Sequence, residues 1–165
     1  MSERSWEVRQ ATEADSPAIL ECLRTAFEAY RSFYTPEAFA DTVLTPATLK
    51  QRITIMRLFV ALSDGGEVVG TIGCHVLGTN ANLKEGHIRG MAVLPAWQGT
   101  GVAGQLLKAA EAELQRYGCN RISLDTTEPL AAARRFYEKN GFRQSGKMTD
   151  FFGMPLFEYV KDLPK

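Results

Sequence analysis

Neither sign of charge is in excess. Lys and Arg number 19, Asp and Glu also 19, and the formal net charge is zero. A nucleic-acid binder needs a basic surplus, because phosphate contacts supply most of its affinity. No nucleic-acid partner is therefore expected. Cysteine is scarce: Cys22, Cys74 and Cys119 stand far apart, with no C-x-x-C pair. That pattern offers neither a zinc site nor a disulfide framework, and free thiols fit a reducing cytoplasm. Long apolar runs are missing too. Nothing approaches the 18 or so apolar residues of a membrane span, and MSERSWEVRQ lacks the apolar core of a signal peptide. The expectation is a cytoplasmic protein with no metal and no membrane attachment.

What is present suits one packed domain over 1–165, since hydrophobic residues make up 45% and charged residues 23%. Trp6 to Gln10 alternates as a short strand. Thr12, with Asp15 three residues on, opens a helix whose stripe is Ile19, Leu20, Leu23, Phe27 and Tyr30. A shorter helix follows, around Pro36 to Val43 or around Ala47 to Ile55. RLFVAL (57–62) and VVGTIGCHVL (68–77) flank Asp64-Gly65-Gly66 as a hairpin. TNANLKEG (79–86) reads as a polar loop and HIRGMAVL (87–94) as a strand.

The period then changes. Ala103, Leu107, Ala110, Leu114 and Tyr117 mark an amphipathic helix that Gly118 stops. RISLDTT (121–127) is a strand. Thr127 reads as the cap of a further helix, with Pro129 in its first turn and Leu130, Ala133 and Tyr137 on one stripe. Asn140-Gly141 ends it, with Phe142 packing back. Two strand-like runs close the chain. The order is β-α-α-β-β-β-α-β-α-β-β. Strand 87–94, helix 101–117 and strand 121–127 form a crossover, which makes a parallel pair. The fold class is mixed α/β, mostly antiparallel around that pair.

Gly99, Gly101 and Gly104 spell G-x-G-x-x-G, and Asp125 follows about 20 residues on, where a dinucleotide site would place its ribose-binding acid. Three features oppose that reading. A dinucleotide fold opens its sheet with the glycine turn and then needs several βα units. Here the glycines come late, Pro95-Ala96-Trp97-Gln98 separates them from the strand, and the upstream strands are hairpins.

Two segments instead resemble the GNAT superfamily of N-acetyltransferases. MAVLPAWQGTGVAGQLL (91–107) contains Gln98-x-x-Gly101-x-Ala103, similar to the family's Q/R-x-x-G-x-G/A pyrophosphate signature, after a strand ending in V-x-P. ARRFYEKNGF (133–142) is similar to its A-x-x-x-Y-E-K-x-G-F helix end. The resemblance implies a GNAT-like fold, with two central strands splayed between flanking helices. It implies acetyl-CoA as co-substrate and direct attack by a primary amine, foremost that of a small molecule, with a protein or peptide amine as an alternative. A non-catalytic acyl-CoA-binding sensor or interaction module is a further alternative. The molecule would be a monomer or a homodimer.

Residue by residue, the resemblance assigns Gln98, Gly99, Thr100, Gly101, Val102, Ala103 and Gly104 to the pyrophosphate. Their backbone amides and the helix start supply the anion site. Met91, Ala92 and Val93 would pair with the pantetheine arm, and the Val93 N–H would stabilise the oxyanion. Leu130 and Ala133 would flank the same groove. Leu130 stands where the family often has asparagine, which removes a side-chain hydrogen bond to pantetheine. Tyr137 would protonate the leaving thiolate and His87 would act as base, with Glu85 or water as alternatives. His75 packs or meets solvent. Phe27, Tyr30, Phe33, Tyr34, Phe39, Phe151 and Phe152 would surround the acceptor or belong to the core. Without an acidic cluster there, a polycationic aminoglycoside is disfavoured.

Overall fold

The computed structural model describes residues 4–80 and 83–164. Its elements are β1 (Trp6–Gln10), α1 (Ser16–Phe27), α2 (Pro36–Val43), α3 (Pro46–Ile55), β2 (Arg57–Ser63), β3 (Val68–Asn80), β4 (Leu83–Val93), α4 (Val102–Arg116), β5 (Arg121–Thr127), α5 (Ala131–Lys139), β6 (Arg143–Phe151) and β7 (Met154–Asp162). The seven strands form one sheet in the order β1-β2-β3-β4-β5-β7-β6. The β4–β5 pair is parallel; the other neighbours run antiparallel.

Both candidate short helices occur. Pro36 and Pro46 each occupy the first turn of one, where a missing N–H costs nothing. Thr45 and Thr48 close a capping box on α3: the Thr48 N–H donates to Thr45 Oγ1 at 3.2 Å, and the Thr45 N–H to Thr48 Oγ1 at 2.8 Å.

Two apolar clusters cover the two faces of the sheet. α1, α2 and α3 bury Ile19, Leu23, Phe39 and Leu49 on one face. On the other, α4 and α5 bury Val102, Leu106, Leu114 and Tyr137. Cys22, Cys74 and Cys119 are free thiols buried within these clusters.

Three expectations are corrected. The polar stretch 79–86 is strand rather than loop wherever it is described, because β3 and β4 stay paired out to Asn80↔Leu83. Backbone pairing in a long hairpin overrides the polar composition; Ala81 and Asn82 lie outside the described residues. Thr127 does not cap α5, which begins at Ala131 after Leu130. The Thr127 hydroxyl is instead bonded to the Tyr34 hydroxyl at 2.6 Å. Tyr117 is no core residue: α4 ends one residue earlier, and Tyr117 is exposed, accepting from Arg57 at 3.0 Å. At the end of α5, the N–H of Gly141 bonds to Glu138 and that of Phe142 to Tyr137, and Phe142 packs back as expected.

The feature that makes a site is the parting of β4 from β5. Their pairing runs only from Glu85↔Arg121 to Ile88↔Leu124. Both strands continue, β4 to Val93 and β5 to Thr127. The parting coincides with a bulge: between the Thr71↔Ala92 and Gly73↔Arg89 pairs, β4 holds one residue more than β3. Gly90 absorbs it with φ +70°, and a Cβ there would meet Arg52 Nη1 at 3.0 Å.

α4 sits close against β3. A Cβ on Gly70 would stand 2.8 Å from Leu106 Cδ1 and 3.0 Å from Val102 Cγ1, both fully buried. Gly70→Ala is expected to cost about 1–3 kcal/mol by overpacking. Thermal unfolding would register it as roughly 2–4 °C for each kcal/mol. An unchanged melting temperature would mean that α4 yields without cost.

Candidate active site

A cavity of about 790 Å³ passes through the sheet where β4 leaves β5. Phe27, Tyr30 and Tyr34 line it on the α1 side, and Gly101, Ala133 and Tyr137 on the α4–α5 side. Between them lie His87 to Val93 of β4 and Leu124 to Thr127 of β5.

The β4 backbone is arranged for use there. The Leu94 N–H donates to Val69 at 2.9 Å. Antiparallel alternation therefore turns the N–H and C=O of Val93 away from β3, into the gap. The Gln98 side-chain amide reaches that carbonyl at 3.4 Å.

Beyond β4, Pro95–Trp97 makes one 3-10 turn. Gly101 then caps α4 in the left-handed region, at φ +101°. The Gln105 N–H closes the first turn on the Gly101 carbonyl at 3.1 Å. The amides of Val102, Ala103 and Gly104 precede that bond and have no intrahelical partner. Nothing lies within 4 Å of where a Cβ on Gly99 or Gly104 would stand. Open space, unpaired amides and the positive end of a helix dipole together suit a diphosphate.

His87 and Tyr137 face the same space. His87 Nδ1 shares a hydrogen bond of 2.9 Å with the buried Ser123 hydroxyl. Its Nε2 lies 3.7 Å from the Asp125 carboxylate, and His75 stands edge-on at 5.8 Å. Burial above all, then His75 and Arg89, push the imidazole pKa down to about 4. The Asp125 carboxylate, too far for a hydrogen bond, does not reverse this, and burial raises its own pKa. Tyr137 is buried, and burial raises its pKa, so the phenol keeps its proton. Its hydroxyl donates to Met91 Sδ at 3.7 Å, a weak acceptor.

Most residues singled out from sequence line this cavity: His87, Met91, Ala92, Val93, Gln98, Gly99, Gly101, Ala103, Gly104, Leu130, Ala133 and Tyr137. Thr100 and Val102 do not. Thr100 turns its hydroxyl back onto the Trp97 carbonyl, and the Val102 side chain is fully buried in the core. Glu85 is paired with Arg121 at 3.4 Å, away from the lining. Of the seven aromatics, Phe27, Tyr30, Tyr34 and Phe151 line the cavity. Phe33 and Phe152 are exposed, and Phe39 packs under the Arg31 guanidinium.

Sequence reasoning misses Asp41 and Arg52, yet both line the cavity. The signal lies in α3, where Arg52 follows Leu49 at i+3 and so shares its helical face.

The family model of the acetyltransferase (GNAT) family matches residues 17–142. The chain belongs to the GNAT acetyltransferase family. It is 32% identical to an aminoalkylphosphonate N-acetyltransferase of Salmonella typhimurium, over 84% of this chain and 86% of the other. It is 29% identical to an aminoglycoside N(6')-acetyltransferase type 1 of Stenotrophomonas maltophilia, over 90% and 93%. The fold is that of PaiA N-acetyltransferase from Thermoplasma acidophilum, solved in complex with coenzyme A. The TM-score is 0.74 at 22% identity, covering 96% of this chain and 99% of that one. Among the described residues of this GNAT protein, no cluster of three His, Cys, Asp or Glu could hold a metal, and no helix is long and apolar enough to cross a membrane.

The depressed pKa of His87 has a consequence for stability. An unfolded histidine titrates near 6.5, the folded one near 4, so the unfolded chain binds more protons between those values. Stability therefore falls as pH drops from about 6.5 to 4, by roughly 3 kcal/mol in all. Denaturant titrations at pH 4.5 and 7.5 should show that loss diminished in His87→Gln. An equal loss in both proteins would show that His87 is not held neutral.

Proposed function

We propose that this protein transfers the acetyl group of acetyl-CoA to the primary amine of a small molecule, within a ternary complex. One observation carries the reading: a single cavity crosses the β4–β5 gap, with the glycine-bearing start of α4 at one side and His87 and Tyr137 facing the same interior. The aminoalkylphosphonate and aminoglycoside enzymes among its relatives support a small acceptor.

The residues present fit the co-substrate. The amides of Val102, Ala103 and Gly104 would hold its diphosphate, with space at Gly99 and Gly104 for close approach. The outward C=O of Val93 would accept from an extended pantetheine arm as a further strand would, leaving the Val93 N–H for the reacting carbonyl. Acetyl-CoA supplies the acyl carbon as a thioester. Holding that carbon and the amine in one cavity provides much of the acceleration by proximity. The Val93 N–H would donate to the thioester oxygen as its charge grows.

Two proton movements remain. His87 lines the cavity and is uncharged at neutral pH, so it could take the amine proton as the nitrogen becomes positive during attack, although its lowered pKa makes it a weak base. Tyr137 retains its proton and, bonded among the described residues to the weakly accepting Met91 thioether, can release it to the departing sulfur. The amine loses one proton and the thiol gains one.

A thiol-release assay across an amine panel tests the proposal. Release that depends on the amine is expected. Tight acetyl-CoA binding without release from any amine would leave a binding module. Tyr137→Phe should lower kcat by roughly 10- to 10³-fold with acetyl-CoA affinity nearly unchanged. An unaltered rate would assign the proton elsewhere. Gly104→Asp puts a carboxylate in the first turn of α4, where the helix tolerates it but a diphosphate would not. Calorimetry should show acetyl-CoA affinity reduced about tenfold or more at an unchanged melting temperature. Normal affinity would place the diphosphate elsewhere.

A further inference from the structure

On the acceptor side the cavity holds Arg52, whose charge is attracted by Asp41 but has no hydrogen-bonded acid of its own. α3 turns Leu49 and Arg52 inward. Leu49 is fully buried and Arg52 is 8% exposed, as deep as an ordinary core residue. A guanidinium brings five donors and a charge, and such groups are seldom buried without a partner. Arg52 has no hydrogen bond or ion pair with any described residue. The neighbouring carboxylate, Asp41, is taken by Arg89 at 2.9 Å. Two guanidiniums thus face one carboxylate, and Arg52 lies against the β4 bulge, with Nη1 3.0 Å from where a Cβ on Gly90 would be.

The co-substrate does not answer this charge. α3 packs on the face of the sheet opposite α4, whose amide-bearing start lies across the β4–β5 gap. An anion that pairs with Arg52 would therefore arrive with the other reactant. Phe27, Tyr30 and Tyr34 line the same side, so the remainder of that molecule meets an apolar, aromatic wall.

We infer that the amine acceptor carries an anionic group, a carboxylate or a phosphonate, which docks on Arg52. The inference rests on the transferase reading above and narrows its substrate class to amino acids in the broad sense. Arg52 is here a specificity residue: it orients the acceptor by its acid end and leaves the amine directed at the gap. Polycationic amines are repelled by the same charge, which separates this protein from its aminoglycoside-modifying relative.

The test compares three amines of one chain length: an n-alkylamine, the ω-amino carboxylate and the ω-amino phosphonate, with kanamycin as a polycation. The acid-bearing amines should exceed the plain amine by about 10- to 100-fold in kcat/KM, mostly through KM, as one desolvated charge-assisted contact provides. Which acid is preferred identifies the group. Arg52→Met should bring the ratio close to one, and Arg52→Lys should keep part of it. Preference for the plain amine or for kanamycin, or a ratio that survives Arg52→Met, would overturn the inference.

A second measurement does not depend on turnover. Calorimetric titration of the protein with n-propylphosphonate and with butyrate should show binding in the wild type that Arg52→Met loses. If no amine is acetylated, the transferase reading fails, and these titrations alone decide the anion site. Absence of binding by both acids would then sink it. Should Arg52→Met not fold, the wild-type panel and Arg52→Lys still decide between the two outcomes.

Discussion

Two strands that separate midway organise this protein. A parallel pair buried between helix layers normally keeps its ladder closed, because an unpaired amide in a sheet interior is costly. Here the ladder ends at Ile88↔Leu124, and several backbone groups beyond it have no strand to meet. The bulge at Gly90 coincides with the parting, and the cavity occupies the space. An extended ligand completes such a sheet by strand addition. Everything proposed about catalysis depends on that open ladder.

Each layer then contributes a different kind of recognition. The α4 side offers main-chain donors at a helix terminus, an arrangement that would hold a diphosphate without any particular side chain. The α1–α3 side offers side chains: aromatic rings, a paired Arg89 and an unpaired Arg52. Main-chain recognition survives wide sequence change. Side-chain recognition does not, which suits relatives that share a fold but differ in acceptor.

The parts legible in sequence are those governed by local rules. The amphipathic period of α4, the turn at Asp64-Gly65-Gly66, the ending at Asn140-Gly141 and the crossover between β4 and β5 all follow from short-range geometry. Legibility fails where a distant partner decides. Thr127 has the look of a helix cap, but Tyr34, far off in sequence, holds its hydroxyl. The polar residues after Leu77 lack a strand pattern, yet the hairpin ladder carries them along. Arg52 stays hidden because an arginine in a short helix reads as solvent-facing; only the position of the α3 stripe against Gly90 shows it inward.

The three cysteines acquire a meaning beside the proposed chemistry. A thioester donor exchanges its acyl group with any accessible thiolate. Cys22 and Cys74 are buried, and burial pushes their pKa values up to about 12. Cys119 is buried as well, its pKa also raised. Burial thus holds all three toward the neutral thiol, the form that attacks a thioester least.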